Sequence, residues 1–144
     1  LIREMTKFKG ISVPYRLPSS SHVYFLIPMK FDEKKIGVPR DVFVKALNAE
    51  GVPFGAGYVR PIYLDRAYQE RKIYPNSSFP FKSAPDYKKG DCPVAERMHF
   101  CELMTTNICR YPLSLADVDD VVRAVKKVWS GREELRDAHR AGRV

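Results

Sequence analysis

Alternation opens the readable part of the chain. From His22 to Phe31 the apolar residues Val23, Phe25, Ile27, Met29 and Phe31 fall on one face, the period of a strand covered on that side. Pro28 within it cannot donate to a ladder, which predicts a sheet edge or a bulge. Upstream, residues 1–10 read as the tail of a helix stopped by Gly10, and Pro14, Pro18 and Ser19-Ser20-Ser21 as an extended connector. Asp32 to Gly37 reads as a charged turn. A helix is predicted over about 39–49, with Pro39 and Asp41 at its start, Phe43, Ala46 and Leu47 as its buried stripe and Gly51 as its stop.

Beyond Gly51 the pattern changes to glycine and proline punctuation. Gly51-Val52-Pro53-Phe54-Gly55-Ala56-Gly57-Tyr58-Val59-Arg60-Pro61-Ile62-Tyr63 must bend sharply while presenting Tyr58, Arg60 and Tyr63. Tyr58–Tyr63 reads as a short strand and Leu64–Arg71 as a helical turn with Tyr68 tucked inward. Residues 72–93 carry four prolines, at 75, 80, 85 and 93, and aromatics without a period, which predicts a long ordered excursion. A second helix is expected from Pro93, with Val94, Arg97/Met98 and Cys101 at helical spacing and Leu103-Met104 closing it, then a strand over Thr105–Tyr111. The last helix begins at a capping-box pattern, Ser114-Leu115-Ala116-Asp117, and buries Val118, Val121, Val122, Val125, Val128 and Trp129. Past Gly131 the charged tail reads as a frayed or mobile helix.

Strand, helix, strand, excursion, helix, strand, helix is an α+β pattern: a small antiparallel or mixed sheet with helices packed on one face. At 144 residues with 44% hydrophobic composition the chain suits one domain. No apolar run approaches a membrane span and no leader pattern opens the chain, so the expectation is a cytoplasmic protein with no membrane partner. Leu1-Ile2-Arg3-Glu4-Met5 reads as a chain already under way, which predicts something upstream.

Chemistry enters through residue types. Cys92, Cys101 and Cys109 form no CxxC pair and His22, His99 and His139 are scattered, which argues against a disulfide framework and a metal site. His99 reads as a surface or satisfied helix residue. The net charge of +8 could attract an anion, but no recognition-helix or RNA-binding signature accompanies it, so no nucleic-acid partner is expected. Arg60 offers a planar fork of donors suited to phosphate or carboxylate, or to an interdomain salt bridge, and Tyr58 and Tyr63 offer stacking faces with hydroxyls. The same glycines and aromatics also suit plain turns and packing.

The order and wording of several motifs resemble the C-terminal small domain of DegT/DnrJ-type sugar aminotransferases, fold-type I pyridoxal-phosphate enzymes. The matching pieces are Pro39-Arg40-Asp41 leading to Ala46-Leu47-Asn48-Ala49-Glu50-Gly51-Val52, Tyr58-Val59-Arg60-Pro61-Ile62-Tyr63, Cys92-Pro93-Val94-Ala95-Glu96-Arg97, and Leu113 through Asp117 to Val122. The resemblance divides the chain into a connector (1–20) from an upstream large domain, the aminotransferase-like domain (21–130) and a charged tail (131–144). It implies that the turn after the first helix lines the substrate side of an active site, with Tyr58, Arg60 and Tyr63 as substrate-binding candidates. It also implies a keto sugar nucleotide or keto cyclitol as substrate and a homodimer. Histidines common in the family at the positions of Gly57 and Tyr63 are absent here. The Schiff-base lysine, the acid at the pyridine nitrogen and the phosphate clamp lie in the family's large domain, so pyridoxal phosphate and catalytic residues are not expected in this stretch. The alternative is a stand-alone binding or regulatory domain of the same architecture.

Overall fold

A computed structural model describes residues 1–83 and 85–144. The element order begins with a short helix α1 (Ile2–Met5), strands β1 (Ile11–Ser12) and β2 (Ile27–Phe31), and helices α2 (Glu33–Ile36) and α3 (Arg40–Ala49). Strand β3 (Phe54–Ala56) follows, then a 3₁₀ turn (Ile62–Leu64), helix α4 (Arg66–Gln69) and a second 3₁₀ turn (Phe81–Ser83). Helix α5 (Pro93–Arg97) runs directly into a π turn (Met98–Glu102), strand β4 (Leu103–Thr106), and the closing helices α6 (Leu115–Ser130) and α7 (Arg132–Arg140). The four strands form one sheet in the order β1-β2-β4-β3, antiparallel throughout, which makes this an α+β fold and settles the sheet type.

Register sorts the two sheet faces. Met29 pairs with Met104, Ile27 and Phe54 with Thr106, and Ile11 with Phe31, so these side chains share the face that meets α3 and α6. There Phe43, Val44 and Leu47 from α3 and Val121, Ala124, Val125 and Val128 from α6 complete the core, with the Phe31 and Phe43 rings 5.2 Å apart. The opposite face carries Lys30, Leu103, Thr105 and Gly55. The first dozen residues belong to this body, because Met5, Phe8 and Ile11 are buried in its core and β1 hydrogen-bonds to β2.

Helix ends follow the local sequence. Asp32 Oδ1 accepts from the Lys35 backbone at 3.2 Å and Gly37, at φ 85°, closes α2, so Asp32–Gly37 is a capped helical turn where a simple charged turn is expected. Ser114 and Asp117 form the reciprocal box at the start of α6, the Ser114 N–H donating to Asp117 Oδ2 at 2.6 Å. The Asp117 carboxyl is held below its ordinary value, first by the Ser114 hydroxyl. The tail past Gly131 is the helix α7.

Three expected elements are displaced. The alternation from His22 overstates β2, which starts at Ile27 and leaves Val23 93% and Phe25 68% exposed. Its partner β4 ends at Thr106 and the chain turns at Asn107–Arg110, so among the described residues no strand pairs with 22–26, whose Tyr24 carbonyl instead accepts from the Cys109 thiol at 3.3 Å. Pro28 sits where β1 has already ended, since β1 reaches only Lys30 and Phe31. The strand expected over Tyr58–Tyr63 lies earlier, at Phe54–Ala56, where Asn48 holds the Phe54 backbone through both its amide groups at 3.0 Å. Leu103 and Met104 begin β4 and do not close a helix, and Val94 and Cys101, which stand at helical spacing in the sequence, are exposed. The π turn Met98–Glu102 carries the chain from α5 into β4. The excursion after residue 72, apart from position 84 outside the described residues, is largely irregular, and Tyr68 is half-buried edge-on to Phe81 and Tyr87.

Candidate functional site

The turn after α3 is shaped by close backbone approach. Gly57, at φ 74°, donates its N–H to the Leu103 carbonyl at 2.7 Å, and a Cβ there would stand 2.8 Å from the His99 carbonyl oxygen. Only glycine fits that contact. The His99 ring lies alongside, and its Nδ1 is buried with no hydrogen-bond partner among the described residues. A Cβ on Gly55 would likewise meet Thr105 Oγ1 at 2.9 Å.

Beside this turn a cavity of about 490 Å³ opens against β3 and the end of β4, with Phe25, Tyr58, Asn107 and Arg110 on its walls. Half of its polar side chains are already engaged: Asn48 with Phe54, Thr105 Oγ1 with the Gly57 carbonyl at 3.3 Å, and Thr106 Oγ1 with the Pro53 carbonyl at 2.7 Å. The Arg110 guanidinium sits 5.5 Å from the centre of the Phe25 ring. What faces the open space is thus an aromatic pair, Phe25 and Tyr58, with a cation and an amide.

The three residues singled out in sequence part company here. Tyr58 is 56% exposed and lines the cavity. Arg60 is exposed, stands outside the cavity's lining and makes no hydrogen bond or ion pair among the described residues. Tyr63 is buried, and its hydroxyl donates to Glu96 Oε1, away from the cavity. Burial, with the carboxylate beside it, pushes the Tyr63 hydroxyl up to about 12. The Glu96 carboxyl is held below its ordinary value, first by the Tyr63 hydroxyl and then by the Gly90 N–H, which it accepts at 2.6 Å.

Sequence reasoning passed over Phe25 as a cavity wall, because alternation put it in the core, and over Arg110, which no pattern marks. Glu96 entered only as a letter of a matching motif. An acid beside an aromatic-rich excursion carries no periodic signal of burial.

A sequence model of the DegT/DnrJ/EryC1/StrS aminotransferase family matches residues 1–126. The chain belongs to that family. The spore coat polysaccharide biosynthesis protein SpsC of Bacillus subtilis (strain 168) is 28% identical over 125 residues, which is 86% of this chain and 28% of the relative's length. This DegT-family chain therefore spans little more than a quarter of that protein.

The family's chemistry depends on pyridoxal phosphate. Among the described residues lining the cavity there is neither a lysine nor a carboxylate, and its cation is Arg110. Lys45 and Lys126 are exposed on helices, and Lys127 pairs with Glu50 at 2.7 Å. These residues do not fit the cofactor, since among the described ones the cavity sets no amine against an acid. No group of His, Cys, Asp and Glu among the described residues could hold a metal ion, and no described helix is long and apolar enough to cross a membrane.

Proposed function

We propose that this chain is the C-terminal domain of a pyridoxal-phosphate-dependent aminotransferase that moves an amino group onto a keto sugar nucleotide or keto cyclitol. The cofactor, which supplies the means of holding and passing on the amino group, is carried by a large domain joined upstream. The part played here is to shape the substrate side of the cleft. The name of the relative SpsC, which refers to polysaccharide biosynthesis, supports a sugar substrate. A homodimer in the cytoplasm completes the reading.

The observation that carries it is the turn itself. Backbone contacts at Gly57 fix its start, yet Tyr58 and Arg60 beyond it are left exposed, their polar ends unengaged among the described residues. A guanidinium in that position offers two parallel donors to a phosphate or carboxylate, and the Tyr58 ring offers a face to a sugar or base. Tyr63, with its hydroxyl committed to Glu96, supports the turn from behind.

The test is kinetic and is done in the enzyme that includes the large domain. Arg60→Ala should lower kcat/KM about tenfold or more while the unfolding free energy changes by less than about 0.5 kcal/mol, as for an exposed residue. Unchanged kinetics would remove Arg60 as a substrate contact. An upstream reading frame without a Schiff-base lysine, and no partner chain supplying one, would sink the aminotransferase reading in favour of a binding domain.

A further inference from the structure

The segment that displays Tyr58 and Arg60 is a loop held at two ends. At its start Gly57 donates to Leu103, and Thr105 Oγ1 donates to the Gly57 carbonyl. From Tyr58 through Arg60 the side chains are exposed, and Ile62 is 63% exposed, so this stretch has little packing of its own to hold it. Its far end is Tyr63, 9% exposed, whose hydroxyl reaches Glu96, 8% exposed.

The same carboxylate oxygen also accepts the N–H of Gly90 at 2.6 Å, in the last part of the excursion. Gln69 repeats the arrangement one turn on: its Nε2 donates both to the Tyr63 carbonyl at 2.7 Å and to the Tyr87 carbonyl at 3.0 Å. Tyr68 packs edge-on against Tyr87 from the same helix. Two stretches distant in sequence, 58–66 and 86–91, thus share two polar fasteners, and only one of them, Glu96, is a buried charge. A carboxylate shut away from water retains its donors strongly, since leaving either unmade exposes a costly group.

We propose that Glu96 is a positioning residue that clasps the display loop and the end of the excursion together, so that the two open and close as one strap. It rests on the aminotransferase reading only in treating Tyr58 and Arg60 as substrate contacts; the clasp is a property of this chain. A change at Glu96 reaches the loop through Tyr63 and the excursion through Gly90, whereas a change at Tyr63 reaches the loop alone.

Hydrogen exchange by mass spectrometry on this chain tests it, with wild type beside Glu96→Ala, Glu96→Gln and Tyr63→Phe. Glu96→Ala should raise exchange about tenfold in both 58–66 and 86–91 and leave α6 unchanged. Glu96→Gln, which keeps an acceptor oxygen, should return at least part of that protection to both stretches. Tyr63→Phe should loosen 58–66 and spare 86–91. The proposal is overturned if Glu96→Ala loosens one stretch alone, or if the glutamine variant exchanges like the alanine one. Should Glu96→Ala also open α6, Tyr63→Phe decides: no change at 58–66 overturns the clasp. Loss of the kinetic effect at Arg60 would leave this exchange pattern untouched, so the two ideas fail separately.

Discussion

The Arg40 guanidinium donates through Nη1 to the His99 carbonyl at 2.7 Å, joining the first turn of α3 to the π turn 59 positions later. The same group reaches the Leu103 carbonyl at 3.0 Å through Nη1 and the Phe100 carbonyl at 2.9 Å through Nη2, while Asp41 balances its charge. Carbonyls at the end of a helical segment have no partner within it, and the fork of donors satisfies those of His99 and Phe100 while adding a second bond to the Leu103 carbonyl, which also accepts from Gly57. This is why a buried cation stands at the edge of the core, and why the chain can leave a π turn directly into β4.

Replacing Arg40 with Met should therefore cost about 1–3 kcal/mol, the penalty for stranding buried acceptors. Arg40→Lys should recover only part of it, because an ammonium cannot span the same fork. Urea unfolding of the two variants checks this; equal stability of lysine and wild type would contradict it.

Gly57 and Gly51 both adopt positive φ, 74° and 83°, but only Gly57 has a neighbour where a Cβ would go. Gly51→Ala should cost about 1–2 kcal/mol, the left-handed penalty alone. Gly57→Ala should cost clearly more, since the His99 carbonyl oxygen 2.8 Å away is backbone and cannot swing aside. Thermal melts of the pair give the difference directly.

The Tyr63 hydroxyl makes a prediction at high pH. Its value rises from 10.0 to about 12 in the folded chain, so the unfolded chain loses that proton first. The contribution is complete below pH 10 and is lost as pH climbs from 10 toward 12. Tyr63→Phe should flatten this part of the stability profile, relative to wild type, in denaturant titrations at stepped pH. Glu96 works at the other end: its carboxyl lies below 4.5, so its contribution is present above 4.5 and declines as acid titrates the folded group.

Phe43 and Phe25 separate true core from apparent core. Phe43→Ala should cost about 3–5 kcal/mol, while Phe25→Ala, at a position 68% exposed, should cost under about 0.5 kcal/mol. Comparable losses in chemical denaturation would mean that residues 22–26 pack as the alternation implies.

Pyridoxal phosphate mixed with this chain should give no stoichiometric visible absorbance band, because Lys45 and Lys126 stand exposed on helix faces and Lys127 is held in an ion pair with Glu50. A stable band abolished by substituting a single lysine would reverse that expectation.

Local chemistry made several elements legible in sequence. The Ser114–Asp117 box and the valine period of α6 need only neighbours within a few residues, as do the Gly51 stop and the Phe43–Leu47 stripe of α3. The motifs at Arg40, Arg60 and Glu96 carried the family resemblance as well. Strand limits were not legible, because a strand's length depends on what stands beside it: β2 stops where β4 runs out, though the alternation continues to Val23. Nor was the sorting of Tyr58, Arg60 and Tyr63, three polar residues in one turn. Sequence determined that this stretch would bend and present them. Tertiary structure decided which one turns inward, because the hydroxyl of Tyr63 meets a buried carboxylate contributed by a helix 33 residues away, a partner no local pattern can announce.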